Sequence, residues 1–510
     1  MAPVPTEHRR APTCNAAKCY CMNTFSVTLQ VVLAVIIMTT IPLALKRRWR
    51  LFVALPLSVF QIFVPGIAIA GYAVPLSFWA GLTLWPDFVR EFKRVVTWKP
   101  TAYIFGIVLL DFVSLLWSPT PKLALQPVGY SLMFLVIFSA IISEARRDNE
   151  VILRLLKITV LLALFQAASV VVFLVMPGLK LAFLISNLAK WFISPHVLSV
   201  LFTTGQNNVL NPDKSGGMIA VDANGVATYL GGLSFTALGL ALYLRKRWLG
   251  VVGLALLLSV FFTGSKAGLL IAISLFLFAL QTISTRYKRW RNRLRMAMVG
   301  IVLVGTVAWL GPKAIEATQV GQYRALASFV SRSNSTFASR VEIWAYTLQV
   351  FPQHPFRGQG FGGWQQGWPQ YARTIGFGLN MAPQNTLIYL WSQSGLLAAV
   401  LAIAFIYEVM RIGWRQMHDP SLSVFILSLM ITMTFLWDFV QGMGENFGLL
   451  GITSMTPLLA CLLALAYLQR KHERTNTKHQ IQVAQPDLYR QNAIATVFDP
   501  QSFSSTPRNF

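Results

Sequence analysis

The chain has 510 residues, of which 55% are hydrophobic and only 12% charged, and its formal net charge is +25. A soluble domain carries about 25% charged residues, so this composition excludes an ordinary soluble protein. The basic residues are spread over many short connectors and are not concentrated in one domain. That distribution argues against a nucleic-acid partner, which would need a basic surface patch.

Apolar runs recur along the chain at about the 20 residues that a helix needs to cross a bilayer. Backbone groups inside lipid must be hydrogen-bonded internally, so these runs are predicted to be helices. The sequence therefore predicts an all-α polytopic membrane protein with 12–13 transmembrane helices; the count is lower if the second and third runs form one re-entrant feature. The runs are 25–45, 51–68, 69–87, 101–117, 126–143, 151–176, 217–244, 248–263, 267–284, 296–311, 385–410, 421–440 and 447–468.

Seven basic connectors alternate with polar or neutral ones between these runs. Lys and Arg collect in cytoplasmic loops, so we place all seven connectors in the cytoplasm. The connectors are 46–50, 90–94, 144–147, 245–247, 286–295, 411–415 and 469–474. This assignment puts the C-terminus inside, and it predicts a multi-pass membrane protein.

The predicted organisation has seven parts. An N-terminal tail and a first group of transmembrane helices precede a mixed segment on the outer face, which is interpreted as an amphipathic surface helix. A second group of spans then leads into one large basic loop on the outer face, and a third group into a polar, disordered cytoplasmic tail. The bounds are 1–24, 25–176, 177–216, 217–311, 312–384, 385–468 and 469–510.

The loop 312–384 breaks the positive-inside pattern, because it carries many basic residues on the outer face. Its acids are only Glu316 and Glu342. Its basic residues are Lys313, Arg324, Arg332, Arg340, Arg357 and Arg373. Charge that opposes the topogenic pattern needs another reason, and binding of an anion is the simplest.

Arg340 is the first candidate ligand of that anion, because a guanidinium forks onto phosphate oxygens. The segment that follows has apolar residues spaced as on one face of a helix, at Val341, Trp344, Leu348 and Phe351. We expect Ser339 to cap this helix and Arg340 to lie in its first turn, where the helix dipole also favours an anion. A solvated loop arginine is the alternative.

Other candidates lie where spans meet the outer face. Lys266 in the turn GSKAGLL is either a second cation of the site or a snorkelling anchor. Asp222 in VDANG is either a functional carboxylate or a helix N-cap. Gln384 precedes the Asn385 that restarts the membrane run, and His354 with Arg357 belongs to HPFRGQGFGG, a predicted tight backbone turn.

The order of these features over about 216–400 resembles the O-antigen ligase and polysaccharide polymerase family. They are GSxxGLL at the end of a span, an outer loop with Arg340 and Trp344, the HPxxGxG turn, and Asn385 followed by Gly-Leu-Leu at 395–397. The VDANG stretch is similar to a segment around an Asn in exopolysaccharide polymerases of that family.

The resemblance implies an inverting glycosyl transfer on the periplasmic face, with undecaprenyl-pyrophosphate-linked glycans as donor and acceptor and no metal or other cofactor. Two arginines of the ligases hold the pyrophosphate, and their positions match Lys266 and Arg340; Arg357 is a further candidate contact. A flippase and chain-length or export proteins are the partners it implies.

The position of the ligases' catalytic histidine matches Gln384, and an amide cannot take a proton. This departure favours a polymerase that builds a surface polysaccharide or exopolysaccharide over a ligase that transfers glycan to lipid A core. The catalytic candidates are Gln384, Asp222 and His354, and the general base stays open among five residues. They are Asp222, Glu342, His354, Asp438 and Glu445. A flippase or other transporter is the alternative from a different class.

Overall fold

The computed structural model describes residues 83–148, 150–193, 214–286, 333–376, 378–379, 381–445 and 453–470, together with 449–450 and isolated positions at 49–81, 198–209 and 291–299. The predicted tail 1–24, the runs 25–45 and most of 51–87 and 296–311, the loop before 333 and the tail beyond 470 lie outside the described residues. Within them the chain is helical, which confirms the all-α class. The strands there are a two-residue antiparallel pair, β1 (Ala68–Ile69) and β2 (Tyr72–Ala73).

Fifteen described helices carry the architecture, with 3-10 turns at Phe351–Gln353 and Thr453–Met455. They are α1 (Trp85–Thr97), α2 (Lys99–Ser114), α3 (Pro121–Ala145), α4 (Val151–Val175), α5 (Pro177–Ile185), α6 (Ala189–Phe192), α7 (Ala223–Leu244), α8 (Arg247–Phe262), α9 (Lys266–Arg286), α10 (Ser333–Val350), α11 (Gly363–Thr374), α12 (Thr386–Ser394), α13 (Leu396–Met417), α14 (Leu422–Gly442) and α15 (Thr456–Arg470).

Six described helices are long and apolar enough to cross a membrane: α3 over Val128–Ala145, α4, α7, α9, α13 and α14. The pair α1 and α2 also passes as one broken span, bent by 105°. Helices α8 and α15 are apolar but shorter. The total of 12–13 stays a prediction, because several predicted runs lie outside the described residues.

The centre of the bundle is the contact between α7 and α14. Gly231 lets the two helices approach closely, since an added Cβ there would lie 2.0 Å from the Trp437 ring. The indole Nε1 of Trp437 donates a hydrogen bond of 2.8 Å to the Thr228 carbonyl. This contact fixes the start of α7 beside the end of α14, which is where the candidate site forms.

Basic connectors meet at one end of the bundle. Glu408 on α13 binds Arg411, and Arg470 lies 3.9 Å from the same carboxylate. Lys99, at the start of α2, also interacts electrostatically with Glu408. Arg286 at the end of α9 donates a 2.6 Å hydrogen bond to the Pro420 carbonyl. We call this the basic end; the grouping agrees with the predicted alternation of connectors.

Residues 333–376 form a helical layer at the opposite end, which we call the cap. Ile343 and Tyr346 of α10 pack on Trp364 and Trp368 of α11, whose rings stack 5.9 Å apart. Part of the predicted loop is therefore a folded unit with its own aromatic core. The predicted helix after Arg340 is present as part of α10. Three apolar residues of its predicted face are exposed, namely Val341, Trp344 and Leu348, whereas Phe351 packs against the aromatic core.

The predicted span 385–410 is also wrong as one helix, because it breaks at Gly395 (φ +91°) into α12 and α13. The N-terminal end of α12 is bonded to the end of α14, and its C-terminal Ser394 is bonded to Asp111, one turn from the end of α2. Both of these contacts lie at the cap end of the bundle. Helix α12 therefore crosses that end and does not span the membrane.

Candidate functional site

Arg340 reaches from the cap to the turn that follows α14. Its Nη2 donates to the Gly444 carbonyl at 2.8 Å and to Glu445 Oε1 at 3.3 Å. Its Nε is buried and has no hydrogen-bond partner among the described residues. Because a guanidinium offers five N–H donors in a fixed fork, Arg340 keeps donors for an anion.

The expected position of Arg340 in a first helical turn is wrong, because α10 begins at Ser333 and places Arg340 in its interior. Ser339 is therefore not the N-cap, and the helix dipole does not contribute to an anion site at Arg340. The positive charge that an anion would meet here comes from the Arg340 side chain, which points to the end of α14.

Glu445 connects the cap to α7. Its Oε1 accepts a 2.8 Å hydrogen bond from Asn224 Nδ2 as well as the contact from Arg340. Burial raises the pKa of Glu445 to about 7; the nearby Asp222 adds to the rise, and Arg340 and Lys214 oppose it. Glu445 thus changes its protonation near neutral pH, unlike an ordinary surface carboxylate.

Asp222 is the N-cap of α7, as one of its two sequence interpretations held. Its Oδ2 accepts the Gly225 amide at 2.8 Å, which satisfies one of the unpaired N–H groups of the first turn. Burial raises the pKa of this carboxyl. The backbone that leads to Asp222 is held by Gln166 of α4, whose side chain donates to the Ala220 carbonyl and accepts from the Ile219 amide.

Asn385 and Thr386 anchor the start of α12 on the same turn. Asn385 Oδ1 caps the helix by accepting the Leu387 amide at 2.9 Å, and its Nδ2 donates to Met443 O at 3.1 Å. Thr386 donates to Gly442 O at 3.0 Å. Three elements, α7, α10 and α12, therefore converge on residues 442–445, which we call the 442–445 turn.

Gln384 lies directly before this anchor in the left-handed region, with φ +45°. Few non-glycine residues adopt positive φ, and such strain is concentrated at functional sites. The described residues include one other such case, Arg245, at the end of α7. The backbone at Gln384 thus supports, on grounds separate from any resemblance, its place among the candidate site residues.

Lys266 starts α9 at the same end of the bundle. The preceding Ser265 accepts the Gly268 amide at 3.3 Å, and Gly268 lies against Ala227 of α7, within 3.0 Å for an added Cβ. Ala227 is one turn beyond Asn224, and the Lys266 ammonium nitrogen is buried. Convergence of Lys266 with Arg340 on one cavity stays a prediction.

His354 and Arg357 belong to the other end of α12. The predicted tight turn is confirmed, with positive φ at Gly358, Gly360 and Gly362. Its backbone docks on the α12–α13 junction: Gln359 N donates to Ser392 O, and Leu396 N to Phe356 O. The Arg357 side chain is exposed.

Helix α12, with nine residues, is about 13 Å long. The backbone of the glycine turn is thus displaced from Asn385 by most of a helix length. The structure brings Arg340, Asp222 and Gln384 to the 442–445 turn, and it places His354 and Arg357 elsewhere.

Sequence reasoning named Glu445 as one of five possible bases, but it missed that the 442–445 turn brings Glu445 to Arg340. The available signal was Glu445, an acid that follows a span within the small, flexible stretch GMGE, but nothing in the sequence tied it to Arg340. Among the described residues no three His, Cys, Asp or Glu are grouped as a metal site.

Residues 251–403 match the family model described as O-antigen ligase. The chain carries an O-antigen ligase domain. This domain contains Lys266, Arg340 and Gln384, whereas Asp222, Asn224 and Glu445 lie outside it. No curated protein matches the chain.

The domain and the apolar helices together identify a multi-pass membrane protein of glycan assembly. The matched domain implies an enzyme of the ligase or polymerase type that transfers glycan from lipid-linked substrates at the bilayer. A transporter, the alternative from composition, has no such support.

Proposed function

We propose that this protein polymerises undecaprenyl-pyrophosphate-linked oligosaccharide repeat units into a surface polysaccharide or exopolysaccharide. The reaction is an inverting glycosyl transfer on the periplasmic face of a bacterial inner membrane. The observation that carries the proposal is Arg340, held at the 442–445 turn with a buried Nε that has no partner among the described residues. Such a donor fits a phosphate oxygen.

The chemistry needs a cation where the leaving group develops charge. As the bond from the sugar to the pyrophosphate breaks, negative charge grows on the leaving oxygen. A fixed guanidinium in a partly buried site stabilises that charge more than it stabilises the bound substrate. We assign this role to Arg340, with Lys266 as the second cation.

The lipid part of the donor also has a matching surface. Val341, Trp344 and Leu348 form an exposed stripe that starts beside Arg340 and runs along α10. The stripe supports a cavity that opens sideways to lipid, because an isoprenoid chain must stay in the bilayer while its pyrophosphate reaches Arg340.

Gln384 supports a polymerase in preference to a ligase. A ligase-type mechanism would place a histidine there, and an amide only orients a hydroxyl. The glycan of a strain lacking this chain provides the test. Loss of long chains with single repeats retained supports the polymerase; full-length polymer left on undecaprenyl pyrophosphate would show a ligase and overturn the proposal.

The membrane orientation has its own test. The basic end supports a cytoplasmic location for the connectors and a periplasmic location for the cap. Alkaline phosphatase fused near Gly376 should be active, and green fluorescent protein at the same position should stay dark. Cytoplasmic behaviour of both fusions would overturn the site assignment. A flippase and chain-length or export proteins are the partners expected of such an enzyme.

A further inference from the structure

We infer that Glu445 is the general base that deprotonates the acceptor hydroxyl, with Asn224 as the residue that positions it. This inference rests on the proposed function, because it assigns the base of that glycosyl transfer. Glu445 lies outside the matched family domain, and Gln384 inside it cannot accept a proton. The reaction therefore needs a base from another element.

The structure separates Glu445 from the other four candidate bases that the sequence offered. Glu342 accepts a hydrogen bond from Tyr371 Oη at 3.2 Å within the cap. His354 lies in the glycine turn at the far end of α12. Asp222 is committed to the first turn of α7, and Asp438 is buried inside the span α14.

Glu445 is the candidate whose carboxylate contacts Arg340, the residue proposed to bind the pyrophosphate. Its Oε1 accepts from Arg340 Nη2 at 3.3 Å and from Asn224 Nδ2 at 2.8 Å. In an inverting transfer the acceptor oxygen attacks the anomeric carbon from the face opposite the leaving pyrophosphate. With the pyrophosphate at the unpartnered Nε of Arg340 and the acceptor hydroxyl at Glu445, the sugar lies between them, and the carboxylate takes the proton on the attacking side. When the pyrophosphate takes up Arg340, the Asn224 amide still orients the carboxylate.

The step balances as follows. The acceptor hydroxyl oxygen attacks the anomeric carbon of the donor, and its proton passes to the Glu445 carboxylate. The bond from that carbon to the pyrophosphate oxygen breaks with its electron pair. The leaving pyrophosphate is held by Arg340, and the proton on Glu445 returns to solvent before the next turnover.

The charged groups that face Glu445 are Arg340 from α10, Asp222 at the start of α7 and Lys214 from the connector before it. Burial and Asp222 raise the pKa of Glu445 to about 7 in spite of the two cations. A base must be deprotonated to act, so the rate should fall as pH drops through about 7. Burial also raises the pKa of Asp222, so the loss of this limb in Glu445→Gln is the result that assigns it to Glu445.

The test uses the full chain in lipid nanodiscs with Glu445→Gln, Glu445→Asp and Asn224→Ala. Binding is measured with undecaprenyl pyrophosphate, and polymerisation with a lipid extract of a strain lacking this chain, which holds the host's lipid-linked repeat. Glu342→Gln is the matched control, because it neutralises an acid two residues from Arg340. General-base catalysis contributes about 100-fold or more.

We expect Glu445→Gln to bind undecaprenyl pyrophosphate as well as wild type, to polymerise at least about 100-fold more slowly and to lack the acidic limb. Glu445→Asp should keep part of the rate and the limb. Asn224→Ala should slow the reaction by about tenfold with the limb retained but displaced, and Glu342→Gln should behave as wild type.

Two results would overturn the assignment. One is a normal rate in Glu445→Gln, and the other is a parallel loss of binding and rate, which would make Glu445 a structural partner of Arg340. Failure of the proposed function looks different, since wild type itself would then neither bind undecaprenyl pyrophosphate nor extend the extracted repeat.

Discussion

The two ends of α12 make contacts of different kinds. At its first residue, side chains bond the 442–445 turn, where Arg340, Asn224 and Glu445 meet in a charged and partly buried cluster. At its last turn, the contacts to the glycine-rich turn are mostly backbone to backbone, and that turn's arginine is exposed. Both ends carry an arginine that the sequence proposed for pyrophosphate.

The difference shows that a basic residue beside glycines is weaker evidence for a site than a basic residue held by another element. Arg340 is held by two partners across 104 and 105 residues of sequence. For Arg357 the structure records a role for its backbone carbonyl, which accepts Trp117 Nε1 at 3.1 Å. One end is suited to chemistry and the other to docking the cap.

The comparison is tested most strongly by substituting the two arginines. Arg340→Ala should reduce polymer by about 100-fold, because it removes a charge-assisted contact in a preorganised site. Arg340→Lys should keep part of the activity, since it retains the charge without the fork. Arg357→Ala should stay within severalfold of wild type. Polymer length on gels and protein amount in membranes check all three; equal losses at both positions would remove the distinction.

At the C-terminal end of α12, where the glycine-rich turn docks, substitutions should change the stability of the protein more than its activity. An added Cβ at Gly395 (φ +91°) would lie 2.0 Å from the Phe356 carbonyl. Gly395→Ala should therefore lower the free energy of unfolding by about 2 kcal/mol. Gly376 also has positive φ (+65°) but open space around it, so Gly376→Ala should cost about 1 kcal/mol. Thermal unfolding followed by size-exclusion fluorescence would measure both, and equal shifts would refute the contact argument.

The length of the apolar runs was enough to predict the membrane class and most described helices, such as α4, α9 and α14, because burial in lipid requires long apolar runs. It failed at Gly395, because an apolar run does not show where a helix turns to lie across the bundle. Spacing placed a helix at Arg340 but could not show which side of α10 is buried, because both sides are apolar and the partners Trp364 and Trp368 decide it. The link from Arg340 to Glu445 joins elements 105 residues apart, and no local pattern encodes it.

Substitutions of Lys266 distinguish its two interpretations, a cation of the site and a snorkelling anchor. If its buried ammonium is the second pyrophosphate ligand, Lys266→Gln should reduce polymer by about tenfold or more, and Lys266→Arg should be tolerated, because a guanidinium also binds phosphate. Lys180→Gln is the matched control, because the Lys180 ammonium already donates to the Lys214 carbonyl at 2.9 Å. It should leave polymer close to wild type. A snorkelling role predicts that Lys266→Gln is nearly silent in polymer assays.

Substitutions of Gln384 should have the smallest effect on polymer. They distinguish the contribution of its backbone conformation from that of its side-chain amide. Its φ of +45° suits Gly and Asn better than other residues. Gln384→Gly relieves the strain but removes the amide, Gln384→Asn keeps both an amide and the left-handed backbone, and Gln384→Val keeps neither.

If the amide orients the acceptor hydroxyl, polymer should fall severalfold in Gln384→Gly, less in Gln384→Asn and most in Gln384→Val, with stable protein in the first two. Thermal unfolding beside the polymer assay separates the causes. Wild-type polymer from Gln384→Gly would show that this position contributes a backbone bend to the start of α12 and no side-chain chemistry. The charged end of α12 would then depend on Arg340 and Glu445 without Gln384.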